Sequence, residues 1–187
     1  MSQITKNALA ASLKRLLAEK TLDRVTVVDI AEDCQVNRQT FYYHFRDIND
    51  LVEWIYTSEA ARALDGKKTS DSWQQGFLQI FRYALDNRNF VQRTFHSSSL
   101  PHLERYLYAE TFRLLGGVVE EMAVGLGARE DDRRFIADFY KYGFVGLMLD
   151  WIDGGMAEEP ESIVERLSIL VEGDIGLALE RFSRRRR

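Results

Sequence analysis

The sequence predicts an all-α protein, a three-helix N-terminal domain followed by a larger helical one. Three observations carry that expectation. Apolar residues recur at helical spacing along most of the 187 residues. Only two prolines interrupt them, and the turn clusters that punctuate alternating strands are missing. With 45% apolar and 12% aromatic residues, the composition is that of an ordinary globular chain with a substantial core.

Taken in order, a first helix is expected from about Gln3 to Lys20, with Leu9, Leu13 and Leu16 on one stripe. TLDRV connects it onward. Thr26 is a good N-cap for a short second helix, in which Val27, Ile30, Ala31 and Cys34 fall at i, i+3, i+4 and i+7 and share an inward face. Gln35 to Asn37 break that stripe, and Asn37 can cap a third helix, Arg38 to about Phe45. Two short helices so closely joined have the spacing of a helix-turn-helix. A fourth helix comes after Asp47, carries Leu51, Trp54 and Ile55, and is expected to end near Leu64. DGKKTSD, Asp65 to Asp71, is the clearest loop in the chain.

Beyond that loop, helices are expected over about Ser72 to Asn87, Phe90 to Ser97, Pro101 to Gly125, Asp131 to Asp153 and Pro160 to Phe182. Pro101 and Pro160 stand at first turns, where a missing N–H costs little, and Gly154 with Gly155 makes a stop. Gly116 and Gly117 lie inside a helix at about 1 kcal/mol each relative to alanine, which implies a bend or a close backbone approach.

Several function classes fall away. The single Cys34 allows no internal disulfide and no multi-thiolate metal site, as in a reducing compartment such as the cytoplasm. The first twenty residues interleave lysine and arginine with leucine, unlike a signal peptide, and no run is long and apolar enough to span a bilayer. His44, His96 and His102 share no metal-ligand spacing. No phosphate-cradling glycine loop or nucleophile elbow is present, so no enzyme, no catalytic residue, no metal and no cofactor is expected. The net charge of −4 argues weakly against nucleic acid, but the first fifty residues carry seven charges of each sign, so the acidity resides in the rest.

The stretch VNRQTFYYHF, Val36 to Phe45, is the informative one. On a helix turning about 100° per residue, Phe41 and Phe45 lie one turn apart on one side, with Gln39 and Tyr43 roughly opposite. The two phenylalanines are core. Burying Tyr42, Tyr43, His44 and Arg38 beside them would demand a partner for every polar tip inside a very small domain, so these are expected to face outward. Phenols, an imidazole, an amide and a guanidinium on the exposed face of a second helix match the groups that bond DNA phosphates and base edges in the major groove.

The run TVVDIAEDCQVNRQTFYYHFRDINDL, Thr26 to Leu51, resembles the DNA-binding signature of the tetracycline-repressor (TetR) family of transcription regulators, and the resemblance extends from about Leu9 to Ile55. It implies a homodimeric regulator with a DNA-binding domain over residues 1–47 and a regulatory and dimerisation domain over 48–187. By position, the DNA contacts it implies are Thr26, Arg38, Gln39, Thr40, Tyr42, Tyr43, His44 and Arg46, with Tyr42 and His44 on phosphates and Arg38, Gln39 and Tyr43 on bases. Two positions depart from the family: Gln35 stands where a turn glycine is frequent, and Ile48 where a phosphate-binding lysine is common. DCQVNRQTFYYHFRD and the later FHSSSLPHLERYLY also resemble regulators of dihydroxyacetone kinase operons.

In the larger domain, Trp73, Phe77 and Phe81 at i, i+4 and i+8, with Phe95 and Tyr106 beyond, read either as core between helices or as an aromatic effector pocket. His96 belongs to that candidate effector set, and His102, Arg82 and Arg93 are further polar groups for it. The glycine pairs Gly143/Gly146 and Gly173/Gly176, each spaced to share one helix face where a second helix can approach closely, read with Leu167, Leu170 and Leu177 as a dimer interface. The expected partners are a near-palindromic double-stranded DNA operator, a second copy of the chain, and either a small effector or a co-regulator protein. The competing expectation is a protein-interaction adaptor controlled by a partner such as a kinase-like co-activator, with no small ligand of its own.

Overall fold

A computed structural model describes residues 2–60, 73–171 and 173–184. Among the described residues all regular structure is helical. The expected all-α class is what forms. The helices are α1 (Ser2–Leu16), α2 (Val27–Asp33), α3 (Arg38–His44), α4 (Ile48–Ile55), α5 (Trp73–Asp86), α6 (Arg88–Phe95), α7 (Leu100–Met122), α8 (Glu130–Asp153), α9 (Pro160–Val171) and α10 (Asp174–Arg184). A short 3-10 turn (Leu22–Arg24) precedes α2, and a π-turn (Tyr56–Ala60) continues α4. The expected end of the fourth helix near Leu64, the loop Asp65 to Asp71 and the tail Arg185 to Arg187 lie outside the described residues.

Two compact units emerge, one of residues 1–60 with 86–106, the other of 61–85 with 107–187. In the first, α1 packs on α2, α3 and α4. Leu9, Leu13, Ile30, Phe41, Phe45 and Leu51 are buried between them, each on the helical stripe that its spacing dictates. The N-caps of α2, α3 and α4 are all made by side chains: Thr26, Asn37 and Asp47 each accept the backbone N–H three residues on. Such caps offset the orphan amides that make helices of seven or eight residues marginal.

Residues 86–106 join this unit through a row of polar contacts. Lys14 donates to Asn87 at 2.8 Å, Ser98 Oγ to Asp23 Oδ1 at 2.9 Å, and Ser99 Oγ to Asn49. Glu53 receives both His102, at 3.1 Å, and Arg105, at 3.3 Å. Tyr56 and Tyr106 stack with ring centroids 5.4 Å apart. The segment SSSLPHLERY thus binds helices of the first unit, a role its resemblance alone did not assign.

The second unit has an aromatic interior. Phe144 lies 4.3 Å from Phe77 and 6.0 Å from Trp73 between ring centroids, and Trp151 lies 5.0 Å from Phe81. One glycine expectation is corrected here. The helix expected over Pro160 to Phe182 is two helices, because Gly173 takes φ +79 between α9 and α10, a left-handed conformation that ends a helix. Gly173 and Gly176 therefore do not share one helix face. Gly143 and Gly146 do share one, on α8, and among the described residues a Cβ at either would meet nothing within 4 Å. Helix α7 runs unbroken through Gly116 and Gly117, and among the described residues a Cβ at Gly116 would also meet nothing within 4 Å.

Candidate nucleic-acid interface

The geometry of α2 and α3 starts from their caps. Thr26 and Asp29 form a capping box: Thr26 Oγ1 accepts from the Asp29 N–H at 3.1 Å, while the Asp29 carboxylate receives the Thr26 N–H and hydroxyl, both at 2.8 Å. Lys20 adds a 2.8 Å ion pair. The Lys20 hydrogen bond, followed by those of Thr26, holds the Asp29 carboxyl down to about 2. This pairing was legible as a threonine three residues before an aspartate.

The turn between α2 and α3 closes through Gln35 at φ 55. Its N–H donates to the Glu32 carbonyl at 3.0 Å, and that of Val36 to the Ala31 carbonyl at 2.9 Å, a Schellman arrangement with glutamine where glycine is usual. Cys34 Sγ meets the Ala8 carbonyl at 3.4 Å, so the lone thiol fastens the turn to α1. Asn37 then redirects the chain into α3, accepting from the Thr40 N–H at 2.8 Å and the Thr40 hydroxyl at 3.1 Å.

Helix α3 itself has two faces. Phe41 is 0% and Phe45 3% exposed, whereas Tyr42 is 56% and Tyr43 83% exposed. Arg38 and Gln39 are exposed, and Thr40 and His44 half-buried. Among the described residues the side chains of Arg38, Gln39, Tyr42, Tyr43 and His44 have no hydrogen-bond partner. Tyr43 and His44 meet edge to face at 4.9 Å, which gathers a phenol and an imidazole at one end of the face.

Three of the expected contacts are already engaged. The Thr26 hydroxyl proton goes to Asp29 and that of Thr40 to Asn37. Arg46, exposed, folds back on Asp50: its N–H donates at 2.9 Å and its guanidinium pairs at 3.3 Å, which lowers the Asp50 carboxyl below its ordinary value. A phosphate at Arg46 would have to compete with Asp50. Nothing in the spacing of these residues distinguished that intramolecular pair from a free cation.

The candidate effector residues divide between the units. Trp73, Phe77 and Phe81 are buried in the second, against Phe144 and Trp151. Phe95, His96 and Tyr106 belong to the first, where Tyr106 stacks on Tyr56, and Phe95 lies against its neighbour His96. Of the polar candidates, Arg82 pairs with Glu161 and His102 with Glu53. The candidate dimer set divides as well. Leu170, Leu177, Gly143 and Gly173 are exposed, Gly146 is only half-buried, and Leu167 is buried within its own unit. Leu167 is therefore core rather than surface: its place on the stripe of Ile163 and Val171 turns it inward. Gly146 sits between the buried Val145 and the exposed Leu147, at the margin of the open face of α8 rather than at its centre.

Two short helices set by side-chain caps around a left-handed turn, the second helix presenting unpartnered donors outward, define a helix-turn-helix protein. The chain belongs to the TetR family of bacterial regulatory proteins: residues 9–55 match the family's N-terminal model, and residues 71–173 match a transcriptional regulator C-terminal region. It is 30% identical over 94 residues to the HTH-type dhaKLM operon transcriptional activator DhaS of Lactococcus lactis, covering 50% of each chain. It is 24% identical over 165 residues, covering 84% of this chain and 42% of that one, to an uncharacterized HTH-type transcriptional regulator, YxbF, of Bacillus subtilis. The chain thus spans about half the length of the curated relatives it matches. Among solved structures, a dihydroxyacetone kinase operon activator DhaS superposes with a TM-score of 0.74 at 21% identity, covering 93% of this chain and 97% of that one. NalD, the secondary repressor of a multidrug efflux pump in Pseudomonas aeruginosa, superposes at 0.62 with 17% identity, covering 90% and 94%. At such identities what is shared is the fold. Among the described residues no helix is long and apolar enough to cross a membrane.

Proposed function

We propose that the chain is a cytoplasmic, non-enzymatic transcription regulator that binds a near-palindromic operator as a homodimer. Residues 1–47 form the DNA-reading domain, and residues 48–187 the regulatory and dimerisation domain. Arg38, Gln39 and Tyr43 read base edges, Tyr42 and His44 hold phosphates, and Thr26, Thr40 and Arg46 contribute backbone contacts at the rim. One observation carries the reading: α3 and its C-cap bury Phe41 and Phe45, while Arg38, Gln39, Tyr42 and Tyr43 are exposed and, with His44, have no hydrogen-bond partner among the described residues. Similarity to the DhaS activators supports placing it among regulators of dihydroxyacetone kinase operons, answering to a small effector or a co-regulator protein.

The test is a double variant, Tyr42→Ala with His44→Ala, titrated against operator DNA selected from a genomic pool. Its helical circular dichroism should match the wild type. Affinity should fall about ten-fold or more at every salt concentration of a titration. Unchanged affinity would overturn the proposal. The adaptor alternative is separated by calorimetry with small polyols beside capture of a purified kinase-like co-regulator: a bound metabolite with no protein partner excludes it.

A further inference from the structure

Helix α6 has two faces of different chemistry. Phe90, Val91 and Thr94 are buried. Asn89, Gln92, Arg93 and His96, spaced i, i+3, i+4 and i+7, share the other side. Together with Thr21, from the connection after α1, these four line an open cavity of about 310 Å³ that lies wholly within the first unit. Among the described residues no carboxylate lines it, and one guanidinium does. Among the described residues none of the five side chains has a hydrogen-bond partner. Elsewhere in the same unit Lys14 is paired with Glu59, Lys20 with Asp29 and Arg105 with Glu53.

The inventory of the wall is therefore a planar fork of N–H donors, two carboxamide NH₂ groups, an imidazole and a hydroxyl, with a surplus of positive charge. A guanidinium with no carboxylate beside it among the described residues, and neighbours that can each present a donor, suit a group that is all acceptor and negatively charged. The volume admits a phosphate, a short phosphate ester or a small dicarboxylate, at the lower end of ligand-pocket sizes.

We infer that the α6 cavity is a binding site for a small oxyanion, gripped by the Arg93 fork and flanked by His96, Gln92 and Asn89, with Thr21 closing it from the opposite wall. The site is independent of the DNA-reading face, none of whose residues lines it. Because Thr21 leads directly into the Leu22–Arg24 turn and the Thr26 cap, an occupant fastens α6 to the entry of the helix-turn-helix, and binding to the folded chain alone raises its melting temperature.

The experiment titrates the full chain with inorganic phosphate and, separately, with succinate, by calorimetry and by the imidazole NMR signals of His96, at ionic strength held constant with sodium chloride. Saturable binding of one equivalent per chain is expected from at least one anion, and the two arms tell phosphate chemistry from carboxylate chemistry. Arg93→Gln should weaken it about ten-fold or more with unchanged circular dichroism. His96→Ala, at an exposed position, should weaken it several-fold and serves if Arg93→Gln does not fold. Tyr42→Ala with His44→Ala, which removes the two side chains of α3 assigned to phosphates, should bind the anion as the wild type does. The inference is overturned if neither anion saturates, or if binding survives the α6 variants and disappears with the α3 pair.

Discussion

Gln35 holds the helix-turn-helix angle at φ 55, where a Cβ costs about 1 kcal/mol. Gln35→Gly relieves that strain while adding freedom to the unfolded chain, so its unfolding free energy in urea should equal or exceed the wild type's by up to about 1 kcal/mol. Gln35→Val, β-branched, should lose at least that amount, and equal stability of the two variants would show that the turn is not strained. Asp29 makes a second prediction. Its folded value of about 2 lies below the ordinary 3.8. The charged form is thus favoured by folding, its stabilisation is complete above about pH 4, and it is lost as the pH falls toward 2. Melting temperatures between pH 5 and 2 should decline less steeply in Asp29→Asn than in the wild type. At this scale the sequence was legible wherever a partner is close by: the inward Phe41 and Phe45, the outward Tyr42 and Tyr43, and the Asn37 cap each depend on neighbours within four positions. The Arg46–Asp50 pair has the same separation yet was not foreseen, because a cation four residues from a carboxylate can face either its neighbour or solvent.

Glycine shows what helical periodicity leaves open at the scale of elements. Gly116 and Gly117 and the later Gly173 all interrupt apolar stripes, but α7 continues through the first two and a helix ends only at the third. The difference lies in backbone conformation, which composition does not encode: Ile163, Leu167 and Val171 keep helical spacing right up to the break, and Ile175 and Leu179 resume it afterwards, all of them buried. Opposite outcomes are expected for one substitution at the two sites. Gly116→Ala enters a helix interior with open space around its Cβ and should stabilise by about 1 kcal/mol. Gly173→Ala must hold a Cβ at φ +79 and should destabilise by about 1 kcal/mol or more; urea unfolding of both variants checks the pair. The polar row from Ser98 to Arg105 was illegible for a different reason, since its partners Asp23, Asn49 and Glu53 lie 49 to 75 residues away, and pairing across such distances leaves no trace in local spacing.

For the whole molecule the deciding quantity is apolar surface left open. On α8, Phe135, Phe139 and Tyr142 are exposed at i, i+4 and i+7, and on α9 and α10 Ile169, Leu170 and Leu177 are exposed, although each helix also buries an apolar stripe inside its unit. A helix apolar on two faces needs two neighbours, and a patch of this kind on a DNA-binding chain fits an isologous interface with a second copy. Phe139→Glu places a charge in the middle of the α8 row, where pairing across a two-fold axis would set it near its own counterpart without water to solvate either. Sedimentation should then show a monomer, with helical content retained because the position is exposed in the single chain. Two linked reading heads gain affinity by effective concentration, on the order of 10² to 10⁴, so the monomer should lose about that factor on the full palindrome while binding an isolated half-site as the wild-type head does. A variant that stays dimeric would move the interface off α8; one that is monomeric yet binds the palindrome undiminished would mean that a single head does the reading, and the two-fold model of the operator would fall with it.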